Sequence, residues 1–226
     1  MRKFLSKGYF YARLWVEYLF SWRKIFSAGF RHNPRAQKNF ETLSVESWCK
    51  KLIDHAEGFD DPDLPPLPAK TIQKIPSNTE GAKAMELGAA FYRILNNQCE
   101  LGPKTRVLDF GCGWGRISRF LVRTIREENI FGVDVENSTV MAAEKSMPSA
   151  TFKCVAPGEV LPFEENSFDV VFSNSVFSHL SEASYLHYIN EITRCLKPGG
   201  KLLASFLDSA HLDRWVARED SWLETI

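Results

Sequence analysis

Paired cysteines, metal-ligand clusters, long apolar runs and net charge are all missing from this sequence, and each absence removes a class of function. The five cysteines (Cys49, Cys99, Cys112, Cys154 and Cys195) are odd in number, and none forms a Cys-x-x-Cys pair or stands with histidines at ligand spacing. That excludes a disulfide scaffold and a structural zinc site, and the expectation is buried free thiols in a reducing cytoplasm with no bound metal. No stretch reaches the ~18 uninterrupted apolar residues of a membrane span. Arg13 and Glu17 break the only N-terminal candidate and no small-residue cleavage site follows, so a secretory leader is not expected. The formal charge is zero, and no whole-molecule field points to nucleic acid.

The charge that is present is unevenly placed. Residues 1–35 hold eight Lys or Arg against Glu17 alone, which leaves an acidic remainder and calls for an explanation. Within residues 1–32, Tyr11, Trp15, Tyr18, Trp22 and Phe26 fall on one side of a helix, and Lys3, Lys7, Arg13, Glu17 and Lys24 on the other. A basic, aromatic amphipathic arm suits an anionic membrane surface, and equally a helix packed on the body or on a second subunit. Both readings stand, so the expected location is cytoplasmic, with membrane association through the arm as one alternative.

Residues 33–102 read as a helical extension with a stiff linker. Ser44 can cap a helix carrying Val45, Trp48, Leu52 and Ala56 on one face. Pro62, Pro65, Pro66 and Pro68 then forbid helix and favour an extended path. Ser77-Asn78-Thr79-Glu80 has capping-box spacing, and Ala84, Leu87, Phe91 and Leu95 follow at core-facing intervals until Gly102-Pro103.

From residue 103 to 226 the pattern alternates strand and helix. Apolar runs at Arg106–Phe110, Ile130–Asp134, Thr151–Val155, Phe168–Ser173 and Lys201–Phe206 are separated by helical patterns, among them Ile117, Phe120, Leu121 and Ile125, and later Tyr185, Ile189, Ile192 and Leu196. Continuous apolar strands alternating with helices predict an α/β fold, a doubly wound and mostly parallel sheet covered on both faces. Ligands on such sheets lie beyond the carboxyl ends of the strands, so the residues that end each run carry the information.

The strongest of these is Val107-Leu108-Asp109-Phe110-Gly111-Cys112-Gly113-Trp114-Gly115, a buried strand entering a glycine-spaced turn. A dinucleotide fingerprint would put its third glycine where Arg116 stands. The spacing therefore disfavours a nicotinamide oxidoreductase. Asp134 ends the second run about 20 residues later, where an acid can accept hydrogen bonds from a ribose diol.

These residues resemble the class I S-adenosylmethionine-dependent methyltransferases: Val107–Gly115 is similar to their first motif, and Asp134 to their acid after strand two. Leu161-Pro162-Phe163 with Asn166–Val171, and Leu196–Leu203, are similar to their fourth and fifth strand regions. The resemblance spans about Thr105 to Phe206. It implies a Rossmann-like methyltransferase fold, S-adenosylmethionine as cofactor, and methyl transfer as the activity. It further implies that Gly111 and Gly113 approach the methionine part and that Asp109 binds its amino group. Asp134 would hold the ribose with Val135 beside it, and Asn174 would stand near the sulfonium.

Two departures follow. Where relatives carry an adenine-binding Asp, this chain has Pro157, so adenine recognition is left to backbone atoms or Glu159. Only twenty residues follow Phe206, so the terminal strand hairpin of the fold is expected to be missing and the domain C-terminally incomplete. His179 is the one candidate catalytic base, set just after the fourth strand. No Asn-Pro-Pro-Tyr-like run follows Ser173 and no basic aromatic groove is visible, so nucleic acid is not the expected acceptor. A small-molecule or glycan/lipid-type acceptor is. The alternative is a non-catalytic binding or scaffold module on the same fold.

Overall fold

The computed structural model describes residues 40–59 and 61–206. The basic aromatic arm and everything after Phe206, including the expected absence of a terminal hairpin, lie outside the described residues.

Three helices of the extension come first: α1 (Val45–Ala56), α2 (Lys70–Gln73) and α3 (Gly81–Gln98). Ser44 caps α1 as its sequence predicts, its side chain accepting the Ser47 N–H at 3.1 Å. The predicted capping box at Ser77 does not form. The N-cap of α3 is Glu80, whose carboxylate pairs with Lys74 and Lys70 and makes no capping bond, and the first free N–H, that of Gly81, donates to Gln73 Oε1 at 2.7 Å. A glutamine eight residues upstream has taken the capping role, and Ser77 is released for a contact described below.

The α/β part follows as β1 (Val107–Phe110), α4 (Ser118–Leu121), β2 (Ile130–Asp134), α5 (Asn137–Ser146), β3 (Thr151–Cys154), β4 (Phe168–Ser173), α6 (Glu182–Cys195) and β5 (Leu196–Ala204). The five strands are all parallel, in the order β3-β2-β1-β4-β5. This is the doubly wound sheet that the alternating pattern predicts. The order reverses at β1, whose neighbours are β2 and β4, so a crevice opens above Phe110. The Lys197–Gly200 turn is absorbed into β5 as an irregularity, Phe168 pairing with Leu196 but Val170 with Lys201. The helix expected from Ile117 to Ile125 is reduced to the single turn of α4.

Strand side chains alternate between two cores. Val107, Ile130, Phe152, Val170 and Phe172 face the layer built by α1, α3, α4 and α5, and Leu108, Phe110, Val133 and Val171 face α6 through Tyr188, Ile192 and Cys195. The extension belongs to the first of these cores. Trp48, fully buried, donates its indole N–H to the Phe120 carbonyl at 2.8 Å. Arg123 Nε reaches the Leu43 carbonyl at 2.9 Å, and the Tyr92 ring stacks on Phe120 at 5.5 Å. Gly88 lets α3 come this close: a Cβ there would lie 2.9 Å from Phe120 Cε2 and 3.1 Å from the Arg116 carbonyl. The described cysteines are all free, with only Cys154 exposed.

Because α1 and the sheet share one core, Trp48→Phe is expected to lower the stability of the whole unit by about 1–3 kcal/mol. Urea unfolding followed by far-UV circular dichroism should keep a single, shifted transition. A separate early transition of the extension, with the remainder unmoved, would contradict the shared core.

Candidate active site

The turn after β1 is tied to the end of β2. The N–H groups of Gly111 and Cys112 both donate to the Val133 carbonyl, at 2.8 and 3.0 Å. One residue on, the Gly113 N–H donates to Asp134 Oδ2 at 2.8 Å, and Asp134 Oδ1 accepts the Glu136 N–H at 3.0 Å. Asp134 thus fastens the turn on one side and the entry to α5 on the other. Each carboxylate oxygen keeps a second lone pair for a further donor. Gly111 is required twice over: its φ is +85°, and a Cβ would fall 2.1 Å from Val176 Cγ2.

Above this turn lies a crevice of about 1290 Å³, larger than the roughly 300–1,000 Å³ of a typical single-ligand site. Asp109, Gly111, Gly113, Asp134, Val135, Asn174 and His179 all line it, so these seven residues singled out from the sequence arrive at one place. Val135 is 59% exposed there, an apolar side chain held in the open. Together with Val155, Pro157 and Leu161 it lines the end of the crevice beside β2. Asn174 accepts a hydrogen bond from Ser205 Oγ at 3.2 Å, and Ser205 Oγ in turn accepts the Ser175 N–H at 2.7 Å. That bond holds Ser175 in the left-handed region at φ +61°, unusual for a residue with a side chain. His179 closes a short 3₁₀ turn, Phe177–His179, and is exposed at the rim.

Asp109 is buried, and its Oδ2 accepts the Ser118 hydroxyl at 2.6 Å. Burial pushes its carboxyl up to about 7; the Ser118 bond and the nearby Arg116 oppose the rise, and the Asp134 charge adds to it. A carboxyl poised near neutrality can accept a cationic group without the full cost of a permanently buried charge.

Glu159 does not reach the crevice. Its carboxylate accepts the Ala156 N–H of its own loop at 3.2 Å, which leaves Pro157 and the backbone at that edge. Helix α6 holds the loop: Tyr188 Oη accepts the Gly158 N–H at 2.9 Å, and Glu191 Oε2 accepts the Leu161 N–H at 2.8 Å. Arg194 donates to the carbonyls of Leu161 and Phe163 at 3.0 and 2.8 Å. The three-residue spacing of Tyr188, Glu191 and Arg194 on one helical face was the available signal for this clasp.

The extension also enters the site, which sequence reasoning missed. Ile75, Pro76 and Ser77 line the crevice opposite the glycine turn. Arg116 Nη1 donates to Ser77 Oγ at 2.7 Å, and Trp114 Nε1 to the Gln73 carbonyl at 3.2 Å. Arg119 is fully buried, stacked 4.7 Å from the Trp114 ring, and donates to the carbonyls of Trp114, Gly115, Pro65 and Pro66 at 3.1–3.3 Å. Burial pushes its guanidinium down to about 9. The proline linker is therefore bolted to the back of the turn.

A glycine turn fastened to a strand-ending carboxylate, at the point where a parallel sheet reverses its order, is the arrangement of a Rossmann-like methyltransferase fold. Residues 107–200 match the family model described as a methyltransferase domain, the same segment whose motifs resemble the class I S-adenosylmethionine-dependent methyltransferases. The chain is 32% identical over 108 residues to a glycine/sarcosine/dimethylglycine N-methyltransferase of Actinopolyspora halophila, a match that covers 46% of this chain and 19% of that protein. It is 36% identical over 107 residues to a 2-methyl-6-phytyl-1,4-hydroquinone methyltransferase of Synechocystis, covering 46% of this chain and 33% of the relative. Among solved structures it is similar to the YcgJ protein of Bacillus subtilis, with 26% identity, a TM-score of 0.46 and 55% of each chain covered. The chain spans less than half the length of either curated relative. Among the described residues no helix is long and apolar enough to cross a membrane.

The raised carboxyl of Asp109 predicts a signed pH effect. Its folded value, about 7, lies above the ordinary 3.8, so the protonated form is favoured by folding. That contribution is complete below about pH 4 and is lost as pH rises to about 7. Asp109→Asn should therefore lose less stability than the native chain between pH 5 and pH 8, by an amount on the order of 1–4 kcal/mol. Urea midpoints at the two pH values check this, and parallel losses in both proteins would refute it.

Proposed function

We propose that this chain transfers the methyl group of S-adenosylmethionine to a small-molecule or glycan/lipid-type acceptor. The observation that carries the reading is Asp134: a carboxylate at the crevice mouth, already oriented by two backbone donors, with lone pairs left for a diol.

The donor set fits the cofactor part by part. Asp134 is suited to accept both ribose hydroxyls, in charge-assisted bonds worth about 1.5–3 kcal/mol each. Val135, Val155, Pro157 and Leu161 offer an apolar end for the base. Asp109 offers a carboxyl able to ionise beside a cationic amino group, directly or through water. Gly111 and Gly113 let the backbone approach the amino-acid part. When bound, S-adenosylmethionine supplies an electrophilic methyl on a positively charged sulfur. The chain's own task is positioning, which supplies on the order of 7–11 kcal/mol when two reactants are held in line. Asn174 stands where it can orient either partner. His179 is the imidazole at the rim and in this reading takes the acceptor's proton on a ring nitrogen, as an oxygen or nitrogen nucleophile needs.

Calorimetric titration with S-adenosylhomocysteine is expected to show binding to the native chain and an affinity lowered about 10- to 150-fold in Asp134→Ala, the scale of a lost charged hydrogen bond. Equal affinity in both would remove the ribose assignment. Release of labelled methyl to added acceptors separates an enzyme from a binding module: His179→Gln should slow transfer about 100-fold while cofactor affinity stays unchanged.

A further inference from the structure

Helix α3 carries more apolar surface than its core contacts use. Ala84, Met85, Gly88, Ala89, Phe91, Tyr92 and Leu95 are buried against the rest of the fold, Phe91 with its ring 5.8 Å from that of Phe172 and one edge on the crevice. The sequence pattern also expects Leu87 in that core, but Leu87 is 45% exposed, and Ile94 is 52% exposed. Leu87, Ala90, Phe91 and Ile94 follow at i, i+3, i+4 and i+7, and all four line the crevice. Seven residues at 1.5 Å rise make this stripe about 10 Å long.

The crevice is divided by charge. Asp109, Arg116, Asp134 and Glu136 are its Asp, Glu, Lys and Arg residues, and every one belongs to β1, to the glycine turn that follows it or to the end of β2. Past Asn174 the wall is made by the α3 stripe with Leu203 and Ala204 at the end of β5, without an ionised side chain. Arg116 borders it, with its Cγ 3.2 Å from where a Gly88 Cβ would stand and its guanidinium bonded to Ser77, and His179 stands at the rim. Two large aliphatic side chains held half in water on a helix that already has a full core face mark a surface meant to be covered. Its continuity with the turn and with Asn174 says where the covering group must begin.

Resting on the reading of the site as a methyl-transfer centre, we propose that the acceptor carries an uncharged hydrocarbon arm, which lies along Leu87, Ala90, Phe91 and Ile94 while its polar end meets Asn174 and His179. An amino acid or a free sugar leaves this wall wet, and an anionic headgroup finds no cation on it. Covering the stripe removes its apolar area from water, and that gain supplies the binding free energy a hydrocarbon arm can use.

The test uses the full chain and the uncharged fluorophore N-phenyl-1-naphthylamine, with saturating S-adenosylhomocysteine present. The native chain is expected to bind the probe, and 1-decanol to displace it where glucose and glycine at the same concentration do not. Leu87→Glu with Ile94→Glu should weaken probe binding about tenfold or more, because carboxylates stay hydrated on the wall, while S-adenosylhomocysteine affinity is unchanged. Phe59→Glu with Leu186→Glu, at exposed apolar positions that do not line the crevice, should leave probe binding as it is. If the glutamate pair lowers the melting temperature, Leu87→Gln with Ile94→Gln carries the same comparison.

Equal probe binding in native and stripe variants overturns the inference, as does displacement by glucose or glycine. Failure of the full chain to bind the probe, the result expected if its own N-terminal arm fills the stripe, overturns it too. Failure to bind S-adenosylhomocysteine instead overturns the methyl-transfer reading, so the two failures are told apart.

Discussion

The bond from the Gly113 N–H to the Asp134 carboxylate is the tie on which the rest of the site depends. A turn of three glycines has little reason to hold one shape, since each glycine gives up much conformational freedom on folding. Here that cost is met by the neighbouring strand. The Val133 carbonyl takes two N–H groups and Asp134 takes a third, so the turn is an overhang of β2 as much as an extension of β1. Parallel pairing of β1 with β2 puts the two strand ends side by side, and the carboxylate that stands ready for a ribose is the one that shapes the turn. Binding and architecture cannot be separated at this residue.

The second dependence runs through the extension. Residues 64–80 hold no obvious chemistry, yet Ile75, Pro76 and Ser77 among them line the crevice opposite the glycine turn, and the segment is fixed there by Arg116, Trp114 and Arg119. On the other side, α6 grips the loop after β3 through Tyr188, Glu191 and Arg194. The crevice is thus clamped from both faces of the sheet, by elements that each bury their own apolar side in a different core. Loops that carry function are positioned by rigid neighbours, and in this chain the neighbours are one helix and one proline-rich strap.

Much of this was legible in the residues. The β2 and β4 boundaries read from apolar runs coincide with the observed strands, and β1 and β3 differ by one residue, because buried parallel strands are continuous apolar runs ended sharply by polar residues. The ends of those strands are where Asp109, Asp134 and Asn174 could be found. What failed were signals that depend on who else is nearby. Ser77 had the spacing of a helix cap, but Gln73 reached Gly81 first and Arg116 claimed the serine hydroxyl. Leu87 fitted the core interval of its helix, yet the core was filled by Met85, Gly88 and Tyr92. Glu159 had the right position for adenine and spent its carboxylate on its own loop. Each is a local pattern overruled by a partner distant in sequence, which a single periodicity does not contain.

Arg119 has a consequence for how the molecule is made. Its cation donates to four carbonyls, two from the glycine turn and two from prolines more than fifty positions earlier. A molecule with the turn formed and the strap undocked would hold a dehydrated charge with half its acceptors gone, an arrangement that costs several kcal/mol. Such half-assembled species are therefore scarce, and the strap and the turn mature in one event. On the ribosome the prolines emerge first and wait for the arginine that will latch them.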